Sequence, residues 1–189
     1  MVRTISILGS TGSIGVNALE VISNLKNSFK INYLSTNKNI DLLISQIKEH
    51  KPKSVAVVDE LAAKKIKSAL DEMGIELLIG KVGLLDLSQR HDVDLVLNGL
   101  VGASGMQPTI NAIRAGVNVA LANKESLVMA GNIIDKELKN SDAKLFPVDS
   151  EHSAIWQCMV GEKTDDINRI ILTGSGGPFR QRPLSTFSN

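Results

Sequence analysis

The sequence predicts an α/β fold with a doubly wound, mostly parallel sheet. Two observations carry this prediction: short runs of Val, Ile and Leu alternate with segments of helical apolar periodicity, and glycine-rich turns follow several of the runs. Alternating strands and helices form parallel sheets with right-handed crossovers. Such sheets bind ligands at the edge where the strands have their carboxyl ends. We therefore expect the functional residues at that edge.

The composition is that of an ordinary globular protein. Of 189 residues, 43% are hydrophobic and 22% are charged. A net charge of +1 and 3% aromatic residues offer neither the basic field nor the stacking surface of a nucleic-acid-binding protein. We expect no leader and no membrane partner, and hence a cytoplasmic protein, because no apolar run suits either role. Cys158, the single cysteine, is expected in the core.

The expected strands cover residues 5–8, 30–35, 55–58, 76–79, 94–97, 117–121, 143–146 and 169–172. The expected buried faces of two helices consist of Ile14, Ala18, Val21, Ile22 and Leu25, and of Leu61, Lys65, Ile66, Ala69, Leu70 and Met73. A short irregular segment is expected between residue 79 and Arg90. Pro108 in a first helical turn and Gly116 at that helix's end follow the usual asymmetry.

The turn after the first strand, residues 9–15, has the spacing G-x-x-G-x-x-G. In a strand–turn–helix unit, glycines let the backbone approach a pyrophosphate, and the helix N-terminus offers it free N–H groups. The alternative is a tight turn without a ligand. The context favours dinucleotide binding.

The end of the second strand carries Asn37, Lys38 and Asn39. An NAD enzyme would usually have Asp or Glu there to accept from the ribose 2′-hydroxyl. A cation with two amides suits a 2′-phosphate, so NADP(H) is favoured over NAD(H). The alternative for Lys38 is a solvated loop lysine, and Asp41 is assigned to the next helix.

Three later turns are further candidates. Residues 98–105 form a second glycine-rich turn, either close to the cofactor or only a flexible connection. Lys124 stands at a strand–helix junction where a lysine can neutralise substrate oxygens, although such a lysine is more often a surface residue, and Glu125 is a normal first-turn acid. Residues 173–178 place glycines beside hydroxyls, and such a turn can hold a phosphate with its N–H groups.

Residues 147–154 combine two carboxylates, two hydroxyls and an imidazole directly after a strand. In an extended backbone, Asp149 and Glu151 leave by the same face, and paired carboxylates suit Mg²⁺ or Mn²⁺. The alternative is a helix N-cap, in which Asp149 or Ser150 caps the helix and Glu151 favours its positive end. The spacing alone favours the cap.

Four segments, taken together and in order, closely resemble the 1-deoxy-D-xylulose 5-phosphate reductoisomerase family. They are GSTGSIG (9–15), LANKES (121–126), PVDSEH (147–152) and LTGSGGPFR (172–180). This family of the non-mevalonate isoprenoid pathway consists of cytoplasmic or plastid-type homodimers. Its members use NADPH and Mg²⁺, Mn²⁺ or Co²⁺ to rearrange a sugar phosphate and reduce the product to 2-C-methyl-D-erythritol 4-phosphate.

The resemblance implies roles for individual residues. The implied NADPH contacts are Thr11, Gly12, Ser13, Ile14, Asn37, Lys38, Asn39, Asn123 and Glu125, with Asn37 where the family has a glycine. The implied substrate contacts are Lys124, Ser150, Glu151 and Ser175. The resemblance implies that Asp149 and Glu151 are metal ligands, and it therefore favours the metal site over the helix cap. The implied catalytic residues are Lys124, Asp149 and Glu151.

The resemblance also implies a chain that continues well beyond residue 189, to roughly twice this length. We expect residues 1–149 to form an NADPH-binding domain and residues 150–189 to begin an α+β catalytic domain. The remainder would hold a further metal carboxylate and a closing lid. Without them a site admits water and binds metal weakly, so this chain should bind NADPH but turn over little or nothing.

Two alternatives remain from the sequence. One is another NADP-dependent dehydrogenase; a nucleophilic cysteine would favour a semialdehyde dehydrogenase, and Cys158 in a predicted core helix argues against it. The other is a non-catalytic NADP-binding module.

Overall fold

The structure, a computed structural model, describes residues 2–25, 28–172, 177 and 180–186. Its packing divides the chain into two units, Met1–Asp149 and Ser150–Asn189. The first unit contains a seven-stranded sheet in which every pair of neighbouring strands is parallel. This confirms the predicted fold class. The roles assigned to the two parts, NADPH binding and the beginning of a catalytic domain, stay predictions.

Strands and helices alternate along the first unit. The strands are β1 (Arg3–Leu8), β2 (Phe29–Thr36), β3 (Ser54–Val57), β4 (Glu76–Ile79), β5 (Leu95–Asn98), β6 (Asn118–Leu121) and β7 (Leu145–Pro147). The helices are α1 (Ser13–Asn24), α2 (Ile40–His50), α3 (Glu60–Glu72), α4 (Gly80–Ser88), α5 (Met106–Arg114) and α6 (Lys124–Lys139). In the second unit, α7 (Ser150–Met159) is followed by short 3₁₀ turns at Thr164–Asp166 and Leu184–Thr186.

The strand order is β4-β3-β2-β1-β5-β6-β7. From β1 the chain builds outward through β2, β3 and β4, and then returns to place β5, β6 and β7 on the other side of β1. The order therefore reverses between β1 and β5. In open α/β sheets a ligand binds beyond the carboxyl ends of the two strands that flank such a reversal.

Both faces of the sheet are covered by helices, which explains why its strands are nearly continuous apolar runs. One buried cluster joins the sheet to α1, α2 and α3 through Leu19, Leu43, Ile47, Ala63, Ile66 and Leu70. The other joins it to α4, α5 and α6 through Leu84, Leu87, Ile110, Ile113, Ala130 and Ile134.

The expected irregular segment before Arg90 is wrong, because residues Gly80–Ser88 form helix α4. The helix buries Leu84 and Leu87, which lie three residues apart on one face. Gly83 packs against the backbone of Leu78, where an added Cβ would stand 2.7 Å from the carbonyl carbon. Two glycines lower the helix propensity of this stretch, but burial of the two leucines outweighs that cost.

The expected apolar faces of α1 and α3 are partly wrong. In α1, Val21 and Leu25 are 56% and 47% exposed, and Leu19 is buried in their place. In α3, Leu61 is 71% exposed, and small Ala62 and Ala63 occupy the buried stripe instead. Small residues let a helix approach the sheet closely, so they are the ones that face it, and some large apolar residues are left in solvent.

Two expectations for the C-terminal part are also wrong. Cys158 is exposed, and none of the residues of α7 is buried. Residues 169–172 form no strand and are exposed. An apolar run becomes a strand only where a neighbouring strand accepts and donates its backbone hydrogen bonds. No described strand pairs with residues 169–172. Within the described residues, no helix has the length and hydrophobicity that crossing a bilayer requires.

A cluster of polar side chains stabilises the amino edge of the sheet, which lies opposite to the carboxyl edge where ligands are expected. Asp92 accepts hydrogen bonds from the Tyr33 hydroxyl and from Lys53 Nζ, the latter at 2.6 Å, and its backbone carbonyl accepts from Asn32. Burial alone would raise the pKa of Asp92, but the bonds from Lys53 and Tyr33 outweigh it and lower that pKa. Burial and the bond to Asp92 raise the pKa of Tyr33 to about 12.

We predict that Asp92→Asn lowers the free energy of unfolding at pH 7 by roughly 1 kcal/mol. The value is small because the ion pair of Asp92 with Lys53 is partly exposed. A lowered carboxyl pKa stabilises the fold above the pKa of the unfolded state, about 3.9, and this contribution disappears as the pH falls through the lower folded value. Urea unfolding at pH 7 and pH 3 should therefore show the difference shrinking in acid. Asp135→Asn, which breaks an exposed 2.6 Å pair with Lys139, is the control and should change little.

Candidate functional site

Most of the residues predicted to bind ligands lie along the carboxyl edge of the sheet. Residues 11–14 form the end of the β1–α1 turn and the start of α1, and residues 37–39 connect β2 to α2. Residue 123 directly precedes α6, and residues 124 and 125 lie in its first turn. Asp149 follows β7. Strands are about 4.8 Å apart, so the distance from β2 to β6 along this edge is roughly 14 Å. This is the scale of a dinucleotide rather than of a single phosphate.

The first glycine turn is folded tightly upon itself. Gly9 has φ +81°, a conformation that favours glycine, and an added Cβ at Gly15 would stand 2.4 Å from the Gly9 carbonyl oxygen. Gly12 is the N-cap of α1, and no side chain among the described residues caps that helix. The backbone N–H groups of the first turn are therefore left for an external acceptor, and phosphate oxygens are suitable acceptors.

Buried hydrogen bonds hold this turn in place. Ser10 donates from its hydroxyl to Gln46 Oε1 at 2.7 Å, and Gln46 Nε2 donates to the Ser10 carbonyl at 2.8 Å. Ser10 also donates its backbone N–H to the carbonyl of Ser35 at 2.8 Å. Ser10 and Ser35 are almost completely buried, and Gln46 is 6% exposed. Helix α2 and strand β2 thus fix the backbone of the turn before any ligand arrives.

The second glycine-rich turn packs against the first. An added Cβ at Gly9 would stand 3.2 Å from the Gly99 carbonyl oxygen, and one at Gly99 would stand 3.3 Å from Ile14 Cβ. The N–H of Gly99 donates to the Leu8 carbonyl at 3.0 Å, which continues the pairing of β1 with β5. The turn is therefore part of the ligand-binding edge.

Two buried asparagines shape that second turn. Asn98 donates to the Gly105 carbonyl and to Thr109 Oγ1, each at 2.8 Å. Asn123 donates to the carbonyls of Leu100 and Gly102, and its Oδ1 accepts from the N–H and hydroxyl of Ser126. The Asn123 side chain is thus fully engaged within the protein. Only its backbone is left for the predicted contact with NADPH, which stays a prediction.

A cavity of about 800 Å³ opens between the two glycine turns, the end of β2 and the first turns of α4 and α5. Thr11, Gly12 and Asn37 line it, as a cofactor site requires, whereas Ser13, Ile14, Lys38, Asn39 and Glu125 are not among its lining residues. Asn39 caps α2 by accepting from the Leu42 N–H at 3.4 Å. Its side-chain NH₂ group is not used by that cap.

The sequence did not point to several residues of this cavity. Lys81, Leu84 and Leu85 belong to α4, the helix that the sequence did not predict, and Gln107 belongs to the first turn of α5. The only sequence signal for α4 was the helical spacing between Leu84 and Leu87. Gly80 and Gly83 interrupt this pattern and made the helix hard to predict. The lining is mostly apolar with a few polar groups, which is typical of sites for small organic ligands.

The residues predicted to hold metal and substrate are distributed over the two units. Asp149 is half-buried at the end of the first unit, and Ser150 and Glu151 are exposed at the start of α7. The Ser150 hydroxyl donates to Glu151 Oε2 at 3.0 Å. Lys124 and Glu125 are exposed in the first turn of α6. Ser175 lies outside the described residues.

The described residues contain no group of three or more His, Cys, Asp or Glu side chains that could hold a metal ion. Two carboxylates supply only part of the six oxygen ligands that Mg²⁺ prefers, although it keeps several waters when bound. Asp149 and Glu151 therefore have the right chemistry for such an ion but do not complete a site by themselves.

We predict that Gln46→Leu lowers the free energy of unfolding by about 1–3 kcal/mol, because it leaves the buried Ser10 carbonyl without its donor. Urea denaturation provides the measurement. Gln89→Leu, at the exposed C-terminal end of α4, is the matched control. Equal stability of the two variants would contradict the structural role of the Ser10–Gln46 pair.

Comparison with known proteins agrees with this geometry. The family model of 1-deoxy-D-xylulose 5-phosphate reductoisomerase matches residues 5–131, and the model of that enzyme's C-terminal domain matches residues 145–189. The reductoisomerase of Chloroherpeton thalassium is 47% identical over 98% of this chain and 48% of its own length. That of Ruminiclostridium cellulolyticum is 47% identical over 100% of this chain and 49% of its own length. The chain thus spans about half the length of these relatives.

Solved structures show the same likeness. The reductoisomerase of Zymomonas mobilis in complex with NADPH is 36% identical, with a TM-score of 0.90 over 98% of this chain and 48% of that one. A reductoisomerase in complex with NADPH, fosmidomycin and magnesium is 32% identical, with a TM-score of 0.86 over 97% of this chain and 48% of that one. Because the family models match far more than half of its residues, this chain belongs to the 1-deoxy-D-xylulose 5-phosphate reductoisomerase family.

Proposed function

We propose that this chain is the NADPH-binding part, with the beginning of the catalytic part, of an enzyme that converts 1-deoxy-D-xylulose 5-phosphate to 2-C-methyl-D-erythritol 4-phosphate. The observation that carries the proposal is the cavity that joins the uncapped first glycine turn to the end of β2. Two solved relatives of the same fold contain NADPH, and one of these and a further relative contain fosmidomycin with magnesium. As in the family, the complete protein would be a cytoplasmic homodimer.

For the cofactor, residues 11–14 would bind the pyrophosphate, because the backbone N–H groups at the start of α1 have no side-chain cap. Asn37, Lys38 and Asn39 would face the ribose 2′-phosphate from the end of β2. Asn123, through its backbone, and Glu125 would contact the cofactor, and the Asn123 side chain would hold the carbonyls of Leu100 and Gly102 in place.

For the substrate, Lys124 would neutralise oxygens of the sugar phosphate, and Ser150 and Ser175 would hydrogen bond to it. Asp149 and Glu151 would bind Mg²⁺ or Mn²⁺, with Co²⁺ as a third option. Such an ion polarises carbonyl and hydroxyl oxygens when bound. The described residues offer two of its carboxylates, and a further one is expected from the part of the relatives' length that this chain does not span. The chain alone would therefore bind NADPH but turn over little or nothing.

We predict that Gly12→Ala weakens NADPH binding roughly tenfold or more, because the added methyl group fills space that the pyrophosphate needs. The new Cβ would stand 3.3 Å from the Gly9 carbonyl oxygen, so the turn must shift by a few tenths of an ångström, and urea unfolding of the variant should show that it still folds. Calorimetric titration of the chain with NADPH provides the measurement.

Gly131→Ala is the matched control for this variant. It adds the same methyl group within α6, where the Cβ meets nothing within 4 Å. This variant should bind NADPH as the unmodified chain does. Equal affinity of the Gly12→Ala and Gly131→Ala variants would show that the cofactor does not approach the first glycine turn.

The second test uses a chimera of this chain with the C-terminal half of the Ruminiclostridium cellulolyticum relative. We predict that the chimera consumes NADPH when substrate and Mg²⁺ are added, and that Asp149→Asn lowers kcat roughly a hundredfold or more while leaving NADPH affinity unchanged. Asp142→Asn, an exposed aspartate before β7, is the control.

Three outcomes would count against the proposal. Unchanged turnover in the Asp149→Asn chimera would contradict the metal role of that residue. A folded chimera that binds NADPH without any turnover would favour the alternative of a non-catalytic NADP-binding module. Turnover by the chain alone at the rate of the chimera would contradict its proposed inactivity.

A further inference from the structure

The cavity beside the first glycine turn contains a charge that no motif of the sequence predicted. Among the described residues that line this cavity, Lys81 is the only one with a charged side chain. The other lining groups are glycines, apolar side chains, hydroxyls and amides. Among the described lining residues, Lys81 is therefore the one whose side-chain charge would attract an anion bound in the cavity.

The ammonium group of Lys81 is available for such an anion. Lys81 is exposed, and it forms no hydrogen bond or ion pair with the described residues. Glu60 lies close to the start of the same helix, with Oε1 3.8 Å from the position of a Cβ at Gly80, yet no salt bridge joins it to Lys81.

The position of Lys81 in the fold indicates which anion it meets. It is the second residue of α4, which begins directly after the carboxyl end of β4. In the sheet, β4 lies two places from β2, roughly 10 Å away. Asn37, at the end of β2, lines the same cavity, whereas Lys38 does not. Lys81 and Asn37 therefore line the same cavity, on the side of the sheet where the adenosine end of the cofactor is predicted.

We propose that Lys81 binds the 2′-phosphate of NADPH and is a determinant of the preference for NADPH over NADH. The inference rests on the proposed function, since it requires that NADPH occupies this cavity. NADPH and NADH differ at the adenosine end only by the dianionic phosphate on the 2′-hydroxyl. A cation that contacts this phosphate adds affinity for NADPH alone, whereas a cation near the pyrophosphate adds affinity for both cofactors.

The test is the titration of the chain and its variants with NADPH and, separately, with NADH. Lys81→Gln should weaken NADPH binding roughly 10- to 100-fold, the range expected for one charge-assisted hydrogen bond, and change NADH binding less than about twofold. Lys81→Arg keeps the charge and should retain most of the affinity for NADPH. Lys67→Gln, which removes an equally exposed lysine from α3 outside the cavity, should change neither affinity.

The outcomes separate this inference from the proposed function. If the unmodified chain binds neither nucleotide, the proposed function fails and the inference fails with it. If it binds NADPH but Lys81→Gln changes nothing, only the role of Lys81 is refuted. Equal losses for NADPH and NADH in Lys81→Gln would also overturn the inference, because they would place the lysine near the pyrophosphate.

Discussion

Two glycine-rich turns meet backbone to backbone at the point where the strand order reverses, and the rest of the site depends on this contact. A side chain at Gly9 would be strained, because its φ is +81° and the Gly99 carbonyl oxygen lies only 3.2 Å from where the Cβ would stand. Gly15 has still less room, since it packs directly on the backbone of Gly9. These contacts bring the first glycine turn and the turn after β5 to the same cavity.

Buried polar side chains keep this contact in one arrangement. Ser10 and Gln46 fix the first turn from the side of α2, and Asn98 and Asn123 fix the second from β5 and the start of α6. Buried polar groups with all their partners specify a single geometry, whereas a half-satisfied network would be costly. The residues that touch a ligand can therefore be backbone groups, because side chains further out hold that backbone in position.

The sequence predicted the sheet well because burial on both faces gives strands that are continuous apolar runs, and parallel pairing follows from their alternation with helices. The sequence predicted poorly which face of each helix is buried. Val21 and Leu61 are apolar but exposed, whereas small alanines face the sheet. Helix α4 was missed because Gly80 and Gly83 interrupt its pattern, and Lys81 was missed with it. Lys81 is 43 residues away from Lys38 in the sequence, and it reaches the cavity beside the end of β2 only through the strand order, which a local pattern does not contain.

The most direct test of the account is hydrogen–deuterium exchange of the chain with and without NADPH. Backbone N–H groups that bind phosphates exchange more slowly when the ligand is present. We expect slower exchange in residues 9–15 and 99–105, which form the two glycine turns, and no change around Asp92 at the opposite edge of the sheet. Unchanged exchange in residues 9–15 at saturating NADPH, or slower exchange confined to the opposite edge, would contradict the central claim that the cofactor is bound between these turns.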